Sequence, residues 1–388
     1  MNSLLNSHLP AIVVGGGLNA LGVVRSLATA GIPVIVVDTA PGSPAMRSRY
    51  GSKLLCSSLE GDAFVEFMIG LGKQHPAPLV LFATEEKTVE TISAQRDRLA
   101  PWFRLRQPEH ERQMALMHKQ GFQDLAEAIG APVPRAVRLE SKADLVRIDN
   151  LTYPCVFKPS KKDYGYGARF KKAYKVASPD EVRSLYDQIF PVLADMVVQE
   201  WIEGSDGDVY FCLQYIGAEG QVVSSFSGRK IRSWPPRIGG TASCTAAWEV
   251  ADELKEMTRS FFARVGFVGM GSMEYKRDTR DGRFYMVEPT VGRTDFQEEV
   301  ASLNGVNLPA DAWRHEMGLP PAPPQPVAPP RIWREPVSDR WSYQEGGSQA
   351  DSRSRDHAIH DAYWRWHDPL PWIDLMARRI GAKLSRSS

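Results

Sequence analysis

The segment Ala11–Val14 followed by Gly15, Gly16 and Gly17 constrains the fold more than any other part of the chain. Four apolar residues suffice for a short buried strand, and glycines supply the backbone freedom that a tight strand-to-helix turn requires. A helical pattern follows over residues 18–30, Gly31, Ile32 and Pro33 stop it, and Val34–Asp38 reads as a second buried strand. Strand, helix and strand in this order predict a parallel pair closed by a right-handed crossover. Leu79–Ala83 reads as a further strand ending at Thr84, Glu85 and Glu86, and residues 87–99 read as a helix. The first hundred residues are therefore expected to form an open parallel sheet.

The character then changes. Residues 113–129 read as a helix carrying Lys119 and ended by Gly130 and Pro132. Strand signals recur at 153–158, 196–201, 209–215, 222–226, 271–276 and 284–287, interrupted by helical patterns at 179–190 and 249–265. This section reads as α+β and mostly antiparallel. Residues 319–330 hold seven prolines and are expected to run extended. The tail beyond carries Trp333, Trp341, Trp364, Trp366 and Trp372, too many large rings for a free end, so it is expected to pack back on the body.

Composition sets the class. The 388 residues are 43% hydrophobic and 24% charged with a formal net charge of +1, the profile of a globular protein of two to three domains. The basic run at Lys161, Lys162, Lys171 and Lys172 is short, and near-neutrality argues against a dedicated nucleic-acid binder. Cys56, Cys155, Cys212 and Cys244 lack metal-ligand spacing and fit a reducing cytoplasm. The start of the chain fits neither a signal peptide nor a membrane span.

Several patterns carry chemistry. Gly15-x-Gly17-x-x-Ala20 with Asp38 fits a dinucleotide-binding turn, and the same glycines fit any tight turn, so a nicotinamide-dependent oxidoreductase stands as one reading. Lys158 ends a strand and is followed by Asp163, Tyr164, Gly165, Tyr166, Gly167 and Ala168. A small-residue loop there could lay N–H groups on phosphate oxygens while the lysine supplies positive charge; a surface hairpin is the plainer alternative. Gln199, Glu200, Trp201, Ile202, Glu203 and Gly204, with Asp206 and Asp208 beyond, offer an apolar wall, backbone groups and carboxylates suited to an adenosine. Glu274 and Glu288 stand on strand segments joined by a turn at 278–282, where side-by-side like charges would call for a cation, magnesium being the natural one.

In this order Lys119, Lys158, the 164–168 segment, residues 199–202, Glu274 and Glu288 resemble the signature of the ATP-grasp superfamily over residues 10–310. Residues 226–235 and 304–309 resemble the carboxylate-amine ligase subgroup that contains D-aspartate ligase and proteins of envelope and polysaccharide clusters. The resemblance implies an α/β plus α+β architecture: a Rossmann-like pre-ATP-grasp domain (1–112), an ATP-grasp domain (113–318, with a lid at 113–202 and a larger subdomain at 203–318), and a proline-rich linker with a Trp-rich extension (319–388). It implies that Lys119, Lys158, Tyr164, Gly165, Gly167 and Ala168 contact ATP phosphates, that Glu200, Trp201 and Ile202 hold adenine, and that Asp208 meets the ribose. Glu274, Glu288 and Thr290 would hold one or two Mg2+ ions, and Lys230, Arg232 and Arg293 would neutralise an acyl phosphate and a substrate carboxylate. The implied reaction joins a small-molecule carboxylate to an amine with release of ADP and phosphate.

One departure stands out. The family pattern places asparagine two residues after the second acidic ligand; here that position is Thr290, which leaves a second metal, with help from Asp295, or a nucleotide-binding protein without turnover, as readings. His357, His360 and His367 read as structural rather than as a zinc site. A homodimer is the common default for such a chain.

Overall fold

The computed structural model describes residues 9–160, 164–171, 173–237, 239–320, 322–323, 325–347 and 358–384. The first eight residues, Lys161, Lys162, Asp163, Lys172 and His357 lie outside the described residues. The chain divides into two compact units: residues 1–122, 205–274 and 288–388 form the first, and residues 123–204 and 275–287 the second.

The first unit opens with a parallel five-stranded sheet whose order is Ser52–Leu55, Val34–Asp38, Ala11–Val14, Leu79–Ala83, Phe103–Arg104. The glycine turn is as tight as the sequence suggested. Gly15 has φ +106°, and a Cβ on it would lie 2.2 Å from Thr84 Oγ1; one on Gly16 would lie 2.0 Å from Asp38 Oδ2. No other residue type fits there without moving its neighbours. The helix Leu18–Thr29 follows directly, with Leu21, Val24 and Leu27 buried against the sheet. Two expected helices are each broken in two. The 87–99 pattern divides into Glu86–Ala94 and Arg96–Leu99 at Gln95, and the 113–129 pattern into His110–Met117 and Lys119–Ala128 at His118. His118 is extended, and the chain folds back so closely that a Cβ on Gly121 would lie 2.4 Å from the Ala115 carbonyl oxygen.

The second sheet has the order Phe284–Val291, Gly269–Arg277, Val209–Ile216, Val222–Trp234, Gly240–Ala246, Ile332–Arg334, Ile359–Asp361. Its first two strands have residues in both units. The third and fourth pair antiparallel, with Tyr210 opposite Arg229. The segment expected as 222–226 continues to Trp234 because partners bind it on both sides. Beyond the proline segment, Ile332–Arg334 pairs with Gly240–Ala246, and Trp333 is buried with its indole N–H donating to Glu299 at 2.8 Å.

The second unit is built on an antiparallel four-stranded sheet ordered Ala136–Leu139, Met196–Glu200, Cys155–Pro159, Tyr174–Val176. The amphipathic helix Pro179–Ile189 starts at Ser178, whose hydroxyl accepts from the Glu181 N–H, and buries Val182, Tyr186 and Ile189 in a core with Phe157 and Val198.

Candidate functional site

In the first unit the chemistry gathers on the second sheet. Strand Val222–Trp234 carries a register shift between Lys230 and Arg232, which stand opposite Cys244 and Ser243. A bulge of this kind turns neighbouring side chains toward one face. Lys230 is buried, and its Nζ reaches Glu274 Oε2 at 2.7 Å. Glu274 alternates with the buried Met273 and Tyr275 and so shares a face of its strand with Ser272. Ser272 donates its hydroxyl to Asp295 Oδ2 at 2.9 Å, and the other Asp295 oxygen accepts from the Phe296 N–H at 2.6 Å. Burial pushes the Glu274 carboxyl above the ordinary carboxylate range, Lys230 pulls it back, and Asp295 and Glu288 push it up again. Around Glu274 one lysine, Lys230, is thus set against two further acids, Asp295 and Glu288, among the influences on its charge.

Glu288 is exposed on Phe284–Val291, and Thr290 lies two residues on, on the same strand face. The strand ends at Gly292, φ +74°, where an added Cβ would lie 2.7 Å from Gln113 Nε2. Past that turn Arg293 pairs with Glu86 at 3.1 Å and donates to the Thr294 carbonyl. Among the described residues no three His, Cys, Asp or Glu side chains converge to hold a metal by themselves. Two carboxylates with the remaining positions left to phosphate oxygens and water is an arrangement that suits magnesium.

Two candidates have other employment in this unit. Arg232, expected to meet substrate, is buried against the helix Pro336–Gln344, 3.3 Å from Asp339 Oδ1 and with its guanidinium 5.5 Å from the Tyr343 ring centre. Asp208, expected at a ribose, closes the turn Asp206–Asp208 by accepting from the Ser205 N–H at 2.7 Å and the Ser205 hydroxyl at 2.8 Å. Lys119 is exposed at the start of its helix. Asp38, the acid of the dinucleotide reading, is buried, accepts a hydrogen bond from Ser43 and abuts Gly16, so its carboxylate braces the glycine turn.

In the second unit Lys158 lies opposite Val197 and donates to Gln199 Oε1 at 3.1 Å. Glu200 accepts from the Thr152 N–H at 2.7 Å, and the Trp201 N–H donates to the Pro154 carbonyl. Lys175 Nζ stands 4.7 Å from the Trp201 ring centre and pairs with Glu203 at 2.7 Å. Ile202 follows at the strand end, half-buried. The expected loop over 164–168 is instead the single helical turn Tyr164–Gly167, carrying Gly165 and Gly167, with Ala168 just after it. Tyr166 accounts for this. Its ring is buried 5.3 Å from Phe170, and its hydroxyl donates to the Lys171 carbonyl at 2.6 Å. The turn expected at 278–282 is present, with the Gly282 N–H donating to the Asp278 carbonyl at 2.8 Å.

Asp339 and Tyr343 had no signal in the sequence, because their meaning comes only from the strand they cover. Asn19 is similar: it donates to the carbonyls of Thr84 and Thr294 at 3.1 and 2.7 Å, tying the first helix to the Arg293 segment.

No family model matches the chain, and no curated protein matches it. Solved structures do. N5-carboxyaminoimidazole synthetase from Staphylococcus aureus, complexed with ADP, matches with a TM-score of 0.60 at 13% identity, over 84% of this chain and 81% of that one. Biotin carboxylase from Campylobacter jejuni, in a β,γ-ATP complex, matches with a TM-score of 0.61 at 14% identity, over 84% and 75%. Carboxyaminoimidazole ribonucleotide synthase from an Aspergillus, complexed with ATP, gives 0.58 at 17%, over 84% and 81%. At these identities the likeness establishes the fold. It is the ATP-grasp fold that the resemblance in the sequence implied.

Proposed function

We propose that the chain is an ATP-dependent carboxylate-amine ligase working through an acyl phosphate, in the subgroup that D-aspartate ligase represents. The observation that carries this reading is the acid cluster: Glu274 pairs with Lys230 at 2.7 Å while Asp295 and Glu288 also lie in its field, an excess of negative charge among these described residues that a divalent cation would offset. The fold shared with ADP- and ATP-bound synthetases supports it.

In this reading Glu274 and Glu288 hold magnesium, with Thr290 beside them, and the ion's contribution is to neutralise phosphate charge. Lys119, Lys158 and the Tyr164–Gly167 turn meet ATP phosphates, and Glu200, Trp201 and Ile202 meet adenine. Asp208 has one carboxylate oxygen without a partner among the described residues, and that oxygen would meet a ribose hydroxyl. A substrate carboxylate oxygen attacks the γ-phosphorus, the bond to the β-phosphate oxygen breaks, and ADP leaves. The amine nitrogen then attacks the acyl carbon, the carbon–oxygen bond to phosphate breaks, and the amine loses a proton to solvent as the amide forms. Lys230 and Arg293 offset negative charge in these steps, and Arg232, already matched by Asp339, positions the end of the Lys230 strand. Positioning and charge neutralisation suffice without a side-chain nucleophile. The five-stranded parallel sheet would serve as a Rossmann-like pre-grasp domain, and the Asp38 geometry weighs against its use for a nicotinamide cofactor.

The test is an ADP-release screen of amino and sugar acids against amines with ATP and magnesium, products read by mass. Release that needs both an acid and an amine, with an amide of the summed mass less water, supports the ligase. ATP binding without release for every pair would make it a non-catalytic nucleotide-binding protein, and tight NADH binding without ATP binding would overturn the reading.

A further inference from the structure

Within the first unit, a second feature stands apart from the acid cluster. A cavity of about 660 Å3 opens between the helix Leu18–Thr29, the helix Glu298–Leu303 and the C-terminal segment. That volume lies within the range of small-molecule sites, about 300–1,000 Å3. Arg25, Ser26 and Thr29 line it from two to three turns beyond the start of their helix, at the end away from the glycine turn.

The walls divide into an aromatic side and a charged side. Trp364 and Trp366 form the aromatic side, their rings edge to face at 5.3 Å, and Trp366 is 88% exposed, which leaves its face open to a ligand. On the charged side the ions can be counted. Arg25 pairs with Asp368 at 2.9 Å and Glu299 at 3.5 Å, Arg365 pairs with Glu299 at 2.8 Å, and Arg334 pairs with Asp361 at 2.5 Å. The remaining arginine, Arg331, is half-buried on the wall and has no side-chain partner among the described residues. Among the lining residues three guanidinium groups, Arg25, Arg331 and Arg365, therefore face two carboxylates, Glu299 and Asp361. His360 adds a ring nitrogen, Nε2, that is shielded from solvent and has no hydrogen-bond partner among the described residues. Burial first, then Arg365 and Arg331, pull this histidine down to about 4, so it is neutral at pH 7 and leaves the excess at a single positive charge.

We propose that this cavity is a second binding site, for a small aromatic carboxylate whose ring lies on Trp364 and Trp366 and whose carboxylate is gripped by Arg331 beside His360. One excess charge matches a monoanion. A phosphate monoester would bring two charges to a wall that balances one, and the planar guanidinium matches a carboxylate through paired hydrogen bonds. An indole face recognises an aromatic ring without needing a hydrogen-bond pattern. The site does not depend on the ligase reading and uses none of its residues.

The test is calorimetric titration of the full chain, without nucleotide, using 2-naphthoate, its neutral isostere 2-naphthamide, and 2-naphthyl phosphate. Saturable binding of the carboxylate is expected, at least about 10-fold weaker for the amide, which loses the charged hydrogen bond, and no tighter for the phosphate. Arg331→Gln should weaken the carboxylate about 10-fold with its thermal melt and any ADP release unchanged. Trp366→Ala, at an exposed position that the fold does not need, should also weaken binding and provides the second variant should Arg331→Gln fold poorly. Absence of saturable binding, equal binding of amide and carboxylate, tighter binding of the phosphate, or wild-type affinity in both variants would overturn the proposal.

Discussion

Lys230 reaches Glu274 across an entire strand: the two residues lie on Val222–Trp234 and Gly269–Arg277, with Val209–Ile216 between them, and their charged atoms are 2.7 Å apart. Strands two apart are separated by roughly 9–10 Å, a span that an extended lysine covers when its backbone is turned to the right face, as the register shift at this point allows. The pair fixes a carboxylate that Asp295 and Glu288 would otherwise disfavour.

Lys230→Met should therefore act on the acid directly. With its counter-charge gone, Glu274 binds a proton more readily, and ADP release should fall by about 100-fold or more, the scale of losing one preorganised charge partner. Stability should drop by roughly 1–3 kcal/mol, less than for a fully buried pair because Glu274 is partly open to solvent. Urea denaturation and an ADP-coupled assay measure the two effects; unchanged values for both would refute the role.

Glu288→Gln and Lys158→Ala should separate chemistry from folding. Glu288 is exposed, and Lys158 is a strand-end residue in the second unit. Both variants should melt with the wild type while ADP formation falls below about one hundredth. Wild-type turnover in either would remove that residue from the site.

Arg232 and Asp339 are both buried, so breaking one side leaves a charge without its counter-ion. Asp339→Ala should cost about 3–5 kcal/mol. The double variant Arg232→Met with Asp339→Ala should lose less than the sum of the two single variants, and denaturant titrations of the wild type, both singles and the double give the coupling. Additive losses would show that the pair is not interacting.

Glu298 sets a pH dependence. Burial lifts its carboxyl to about 8, opposed by hydrogen bonds from Ser302 and Ser26, at 3.0 and 3.3 Å in the structure. Between the ordinary carboxylate value of 4.5 and about 8 the folded chain holds a proton that the unfolded chain has released. This stabilisation is complete below 4.5, declines as pH rises through the window, and is spent above about 8. Glu298→Gln should remove that decline and be the more stable protein at pH 9; parallel melting curves for both proteins from pH 5 to 9 would contradict the assignment.

How much of this was legible beforehand follows from where each signal resides. Ala11–Val14, Val34–Asp38 and Leu79–Ala83 are apolar runs whose burial is dictated locally, and all three stand where the sequence puts them. The strands Ser52–Leu55 and Gly240–Ala246 are mixed or small and polar, and become strands only because a neighbour pairs with them. The Tyr164–Gly167 turn is helical because Tyr166 finds a buried place that no local rule foretells.

The sequence by itself determined the apolar strands Ala11–Val14, Val34–Asp38 and Leu79–Ala83 and the glycine turn, because periodicity and backbone freedom are properties of neighbouring residues. Only the tertiary structure decided that Lys230 serves Glu274, that Asp339 occupies Arg232, and that Arg25 meets Asp368 across 343 positions. Pairings of that kind depend on which strands and helices come to lie together, and a buried charge accepts whichever opposite partner that packing supplies.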